Sequence, residues 1–312
     1  MIATLAAALL AVTPVTAGTP VEAPGPNGPL AGTMLGEGKG RPVVLIIPGS
    51  GPTDRDGNSP LGITAGSYRL LAEALAAKGV ATVRVDKRGM FGSKAATPDP
   101  NAVMIADYAA DAHAWARIIR ARTAAPCIWM LGHSEGGLVA LLAAQQPVDL
   151  CGVILVSSPG RPLGAVLREQ FRANPANAPY MGQLDAMMTA YETGKPVDRA
   201  ALSPPIAAAF PPQLDGYMQS LLSYDPAKLA AMYKGPVLVE QGTRDLQVSV
   251  TDAQRLAAAR PGIRLVLIPG ANHALKAVAS DDRAANIATY ADPSLPLADG
   301  LVEPIVALVK GR

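Results

Sequence analysis

The stretch Leu131-Gly132-His133-Ser134-Glu135-Gly136-Gly137 decides how this chain is read. Before it, Cys127-Ile128-Trp129-Met130 is short, apolar and β-like; after it, Leu138 to Ala144 reads as a buried helix. A Gly-x-Ser-x-Gly turn between a strand and a helix is the setting of a nucleophile elbow, a tight, strained turn that pushes its serine out at the top of a sheet. Gly132 and Gly136 would leave room for the helix to pass close to the strand.

The flanking sequence repeats the same alternation. Val43 to Ile47 is an apolar strand that ends in Pro48-Gly49-Ser50-Gly51-Pro52, a loop that continues neither strand nor helix. Tyr68, Leu71, Ala72 and Leu75 fall at helical spacing, and Gly79 stops that helix. Val80 to Val85 is the next strand, followed by a helical stripe from Ile105 to Ile119, the elbow, and the strand Val153 to Val156. The pattern resumes with Val237 to Glu240, a helix near Ala253 to Ala259, the strand Ile263 to Ile268 and a last helix near Leu301 to Val309. Repeated β-α units imply an α/β fold: a mostly parallel, doubly wound sheet with helices on both faces. Leu30 to Leu35 is expected as an edge strand. Between residues 159 and 235 the alternation fails. This insertion, rich in Met, Tyr and Pro, is read as a mainly helical cap that lines a substrate pocket, or else spends its Met and aromatic side chains on its own core. The core is then 18–158 plus 236–312.

Composition narrows the functional classes. Of 312 residues, 49% are hydrophobic, enough for a sizeable core. Lys plus Arg number 27 against 25 Asp plus Glu, so there is no electrostatic case for nucleic acid or an anionic membrane. Residues 1–17 resemble a secretory signal peptide: an apolar run from Ile2 to Val12, then small residues at Val15-Thr16-Ala17. The run is too short to span a bilayer, so no stable membrane anchor is expected. The protein is expected to be exported, periplasmic or secreted, or cytoplasmic if that segment is not a signal. Cys127 and Cys151 open neighbouring strands about 4.8 Å apart, so they either form a disulfide or remain buried thiols.

Serine needs a base, and the base needs an orienting carboxylate. The chain has three histidines. His113 lies within a helix and reads as a surface or packing residue. His133 points away from Ser134 because strand neighbours alternate faces, which suits a supporting role. His273 remains, in the loop Pro269 to His273 after a strong strand. The acid should lie between nucleophile and base in sequence. Asp245 follows the strand Val237 to Glu240; its competitor Asp252 begins a helix and reads as a cap. The oxyanion hole is assigned to the backbone N–H of Glu135 with a second N–H from Ser50 or Gly51, next to Gly49. Asp54, Arg55 and Asp56 either bind substrate or lock their loop by ion pairs and turn hydrogen bonds. Glu135 pairs with Arg88, tunes His273 or braces the elbow. No cluster has metal-ligand spacing, and no cofactor motif fits.

With these residues in place, the chain resembles the α/β-hydrolase-fold serine hydrolases. Pro48 to Asn58 (PGSGPTDRDGN) and Gly132 to Gly137 (GHSEGG) are similar to a group of bacterial carboxylesterases related to serine aminopeptidase-like hydrolases. Asp86 to Gly89 matches that family's D-x-R-G loop, Asp245 its acid position, and Asn272-His273 its base position. The resemblance implies cofactor-free esterase action on small to medium acyl esters, with a peptidase or thioesterase of the same fold as the alternative. A non-catalytic binding protein on this fold is the more distant one.

Overall fold

The computed structural model describes residues 18–311; the segment 1–17, read above as a signal peptide, lies outside the described residues. Eight strands form one sheet: β1 (Thr19–Ala23), β2 (Leu30–Leu35), β3 (Val43–Ile47), β4 (Ala81–Val85), β5 (Ile128–His133), β6 (Leu150–Val156), β7 (Val237–Gly242) and β8 (Ile263–Ile268). Their spatial order is β1-β2-β4-β3-β5-β6-β7-β8. From β4 to β8 all neighbours are parallel, while β2 runs antiparallel to both β1 and β4.

Leu30 to Leu35 is therefore not the edge of the sheet. Thr19–Ala23 lies outside it, with its first two residues exposed. Pro20 is tolerated there because a missing N–H does least harm on an edge strand. The same proline hid this strand from a composition-based reading.

The fully buried β3, β4, β5 and β7 explain their near-continuous apolar runs. Successive side chains go to opposite faces. On one face Ile46, Ile154 and Leu238 pack with Leu71 and Leu75 of α1 (Ser67–Ala77) and Ile305 of α11 (Val302–Val309). On the other, Leu45, Met130 and Leu155 pack with Trp115 and Ile119 of α2 (Ile105–Thr123), Leu141 of α3 (Glu135–Ala143) and Leu256 of α9 (Val250–Ala258).

Five helices lie between β6 and β7: α4 (Leu163–Arg172), α5 (Met181–Glu192), α6 (Pro204–Ala209), α7 (Asp215–Leu222) and α8 (Pro226–Met232). Leu184, Met187, Met188, Tyr191 and Met218 are buried, and Phe171 meets Phe210 edge to face at 6.0 Å. These helices pack on one another and, through α7 and α8, on α2 and α3. A further short helix, α10 (Arg283–Ala288), lies between β8 and α11 and is not expected from periodicity.

Cys127 and Cys151 are joined in a disulfide, with Cα atoms 5.2 Å apart. The bridge ties the start of β5 to β6.

Candidate active site

Strand order reverses at β3, since β4 lies on one side of it and β5 on the other. The loops after β3 and β5 thus diverge at the C-terminal edge of the sheet, where open α/β folds build ligand sites.

Ser134 sits between β5 and α3 at φ 53°, ψ −123°. That backbone region is sparsely populated for any non-glycine residue and stores strain. The surrounding glycines make the turn possible. A Cβ on Gly132 would lie 2.0 Å from the Gly136 carbonyl oxygen, and one on Gly136 would lie 2.3 Å from the Ile47 oxygen. Only hydrogen fits at either place.

The loop after β7 brings Asp245 to the same edge, and the loop after β8 brings His273. His273 Nδ1 and Asp245 Oδ2 are 2.9 Å apart. Asp245 is held rigidly: Oδ1 accepts from the amides of Gln247 (2.8 Å) and Val248 (3.0 Å), and Oδ2 from Gln241 Nε2 (3.1 Å). Burial pushes the Asp245 pKa up, but the His273 imidazole and these amides outweigh burial and hold it below the usual carboxylate value. With Nδ1 engaged, Nε2 of His273 is the nitrogen left for proton exchange. Ser134 and His273 line one cavity of about 150 Å3.

The base loop is anchored from behind. Asn272 Oδ1 accepts from the Lys276 amide at 3.1 Å, while Asn272 Nδ2 donates to Thr289 Oγ1 at 2.7 Å and Asn286 Oδ1 at 3.1 Å. This is a physical reason for asparagine next to the histidine.

His133 has no access to a base's role. Tyr68 Oη is 2.8 Å from its Nδ1, and its Nε2 is 2.9 Å from the His273 carbonyl oxygen. A carbonyl only accepts, so Nε2 carries the proton and Nδ1 accepts from the Tyr68 hydroxyl. That hydroxyl in turn accepts from the Gly49 amide at 3.1 Å. The result is a directed chain from the Gly49 loop through Tyr68 and His133 to the His273 backbone. Burial first, then the His273 charge, pushes the His133 pKa down to about 3, so the ring stays neutral.

Around the cavity, Gly49, Ser50, Thr53, Ser67 and Tyr68 come from the loop and helix after β3, and Gln247 and Tyr290 also line it. None of its lining residues belongs to 159–235. Of the two readings of the insertion, this lining favours side chains spent on the insertion's own core. Met187, Met188, Tyr191 and Met218 are instead buried in a core that the inserted helices share with α2 and α3. The insertion does reach the site's underside, where the Tyr217 hydroxyl donates to Glu135 Oε2.

Glu135 opens α3, where the first amides of a helix have no intrahelical partner. Among the described residues the Ser50 amide also donates to no acceptor. Ser50 lines the cavity and Gly51 does not. Gly49 passes so close that a Cβ there would sit 3.2 Å from Ser134 Cβ.

The charged residues beside the site have structural partners. Asp54 Oδ1 accepts from the amides of Asp56 and Asn58, both at 2.8 Å. Arg55 pairs with Asp86, and Asp56 with Arg84. All three lock the loop after β3. Arg88 does not meet Glu135: it points to Asp111 of α2 at 2.6 Å, because α2 offers it two carboxylates, Asp107 and Asp111. Glu135 pairs instead with Lys87, 3.6 Å away. Asp252 caps α9 with Ser249 and clamps Arg161, while it is Asp245 that meets His273. His113 is half-buried in α2. Among the described residues no group of three or more His, Cys, Asp or Glu side chains is gathered to hold a metal.

Residues 43–289 match the alpha/beta hydrolase family. The chain belongs to that family. Esterase EstD of Thermotoga maritima is 26% identical to this α/β hydrolase over 250 residues, which cover 74% of the chain and 54% of EstD. The match thus spans about half the length of that relative. Est1E from Butyrivibrio proteoclasticus superposes with a TM-score of 0.57 at 17% identity, covering 95% of this chain and all of Est1E. The Pyrococcus furiosus esterase Pf2001 gives 0.52 at 17% identity, covering 82% of this chain and 84% of Pf2001. At these identities the two structures speak to the fold.

Tyr68, Lys87 and Tyr217 were not legible as site residues. Tyr68 was hidden in an apolar helical stripe. Lys87 stands in the Asp86-Lys87-Arg88-Gly89 loop, where nothing in the sequence separates it from its basic neighbour Arg88.

Proposed function

We propose that this α/β hydrolase is a serine carboxylesterase acting on small to medium carboxylic esters. The observation that carries the reading is Ser134 on a strained elbow, sharing a cavity with a histidine whose Nδ1 is held by a buried aspartate. Ser134 Oγ attacks the ester carbonyl while His273 Nε2 takes its proton. Asp245 keeps the imidazole in the tautomer with hydrogen on Nδ1 and stabilises the imidazolium. The tetrahedral oxyanion is met by the amides of Glu135 and Ser50. As the intermediate collapses, His273 returns the proton to the leaving alcohol and the acyl group stays on Ser134. Water, deprotonated by His273, then releases the acid. The related protein EstD, an esterase by name, points the same way. The modest cavity and its mixed polar lining favour compact acyl groups over long chains.

The test is a hydrolysis panel of aryl esters of increasing chain length, acyl thioesters and aminoacyl anilides, with Ser134→Ala as the blank. Esters should turn over fastest, and Ser134→Ala should lose on the order of 10^4-fold or more in kcat. Preference for thioesters or anilides would move the protein to a thioesterase or peptidase. Turnover surviving in Ser134→Ala would refute the nucleophile.

The disulfide supports an oxidising destination, periplasmic or secreted, since such bridges are rare in reducing cytosol.

A further inference from the structure

A buried cation lies behind the oxyanion loop, unused by the chemistry above. Lys87 is nearly inaccessible, and its Nζ donates to the carbonyl oxygen of Gly49 at 2.6 Å. Its carboxylate neighbour, Glu135 Oε1, is farther off at 3.6 Å, and that oxygen has no hydrogen-bond partner among the described residues. An ammonium placed only to balance Glu135 would make its short contact with the carboxylate. Here the short, charge-assisted contact goes to a peptide group.

The peptide concerned is the one that matters. The Gly49 carbonyl and the Ser50 amide belong to the same planar unit, and the described chain has no cis bond. In a trans peptide the C=O and N–H point in opposite directions. Drawing the oxygen toward Lys87 therefore aims the Ser50 N–H the other way, and Ser50 lines the cavity that holds Ser134. The sheet supplies the reach. β3 and β4 are paired in parallel with Ile46 opposite Arg84, so continuing that register by three residues sets Gly49 opposite Lys87. The preceding peptide is pinned as well, by the Gly49 amide on Tyr68. Glu135 and the Tyr108 ring, 5.4 Å from Nζ, hold the charge in place, and Tyr217 of α7 binds the far oxygen of Glu135.

We propose that Lys87 is a positioning residue of the oxyanion hole, turning and polarising the Gly49–Ser50 peptide so that the Ser50 amide faces the developing oxyanion. This rests on the esterase reading of the same site. A cation on the carbonyl draws electron density from the amide nitrogen, which makes its N–H the stronger donor. Loss of a whole oxyanion donor costs about 10^2- to 10^3-fold in kcat. Misaiming one should cost about 10- to 100-fold, with KM changed by less than about twofold.

Two variants and two readouts test this. Lys87→Met removes the charge at similar length but leaves Glu135 uncompensated, which lowers thermal stability on its own. Lys87→Met/Glu135→Gln removes both charges and keeps the Glu135 backbone. The expected result is a double variant whose Tm recovers toward wild type while kcat stays low and KM holds. In the free protein the Ser50 backbone 15N resonance should move upfield in both variants, beyond changes at amides equally far from residue 87. Recovery of kcat together with Tm would reduce Lys87 to a counterion and overturn the proposal. A Ser50 resonance that does not move would overturn it too. If wild type shows no Ser134-dependent ester turnover, the esterase reading fails by itself, and the Ser50 resonance alone then decides whether Lys87 holds the peptide.

Discussion

At the scale of single residues, the site works by restricting which proton states exist. Asp245 bonds His273 only through Nδ1–H, so an amide in its place would present N–H to that nitrogen and select the wrong tautomer. Asp245→Asn should therefore leave the fold intact and lower kcat by about 10^4-fold, read from steady-state ester hydrolysis beside a circular dichroism spectrum. His133 makes a thermodynamic prediction. Its folded pKa is depressed to about 3 from an ordinary value of 6.5. Between those values the unfolded chain binds a proton that the folded chain refuses, so unfolding takes up a proton. The stabilisation is then complete above pH 6.5 and is lost as pH falls toward 3, at up to about 1.4 kcal/mol per pH unit. His113 is depressed as well, with the same sign, and the lowered Asp245 and Asp252 act only below about pH 4. Buried Glu240 and Asp111, whose pKa values are raised by burial, act with the opposite sign over the same range. The His133 share is therefore read as the difference between wild type and His133→Gln in urea titrations from pH 7 to pH 4, the variant losing less stability as pH falls. An equal slope in the variant would assign the loss elsewhere.

At the scale of elements, the strands and helices that position the site were legible because each is punctuated. β3, β5, β7 and β8 are apolar runs that end in Gly-, Asn- or Asp-containing loops, and those loops carry Ser50, Ser134, Asp245 and His273 to one edge. The elements that escaped have weak local signals. β1 contains Pro20, and α10 has six residues with no apolar stripe. The insertion kept two readings for a different reason: Met and aromatic side chains fill a core as readily as a pocket, and only packing tells which. Glu240 shows what a sequence hides inside a strand. It lies in the middle of β7, fully buried, with neither carboxylate oxygen hydrogen-bonded among the described residues. Burial raises its pKa well above the ordinary carboxylate value. Glu240→Met should raise Tm, because an apolar side chain of similar length removes the desolvation penalty. The sign with pH is opposite to that of His133. The folded state keeps a proton that the unfolded state releases above about pH 4, so the Glu240 contribution becomes more destabilising as pH rises. The advantage of Glu240→Met should be widest at neutral pH and shrink toward pH 4 in paired thermal melts.

At the scale of the whole molecule, the sheet is tied together covalently as well as by packing. The bridge from Cys127 to Cys151 joins the start of β5, which ends in the elbow, to β6, which ends beneath the inserted helices. It closes a loop of sequence separation 24 around α3. Chain-entropy arguments assign a loop of that length about 3.5 kcal/mol of stabilisation, chiefly by restricting the unfolded chain. The bridge lies at the N-terminal ends of its strands, and Ser134, Asp245 and His273 all lie at the C-terminal edge. Removing it should therefore cost stability without changing the chemistry. Cys127→Ser/Cys151→Ser should lower Tm by several degrees and leave kcat and KM for a short aryl ester within about twofold at 25 °C. Reductant should lower the Tm of wild type toward that of the variant and leave the variant unmoved. A wild-type melt insensitive to reductant would show that the bridge does not limit unfolding. Both cysteines are in the bridge. Protein taken from its native compartment without reductant should therefore show no reactive thiol under denaturing conditions, and two such thiols would mean the chain matures where disulfides do not form.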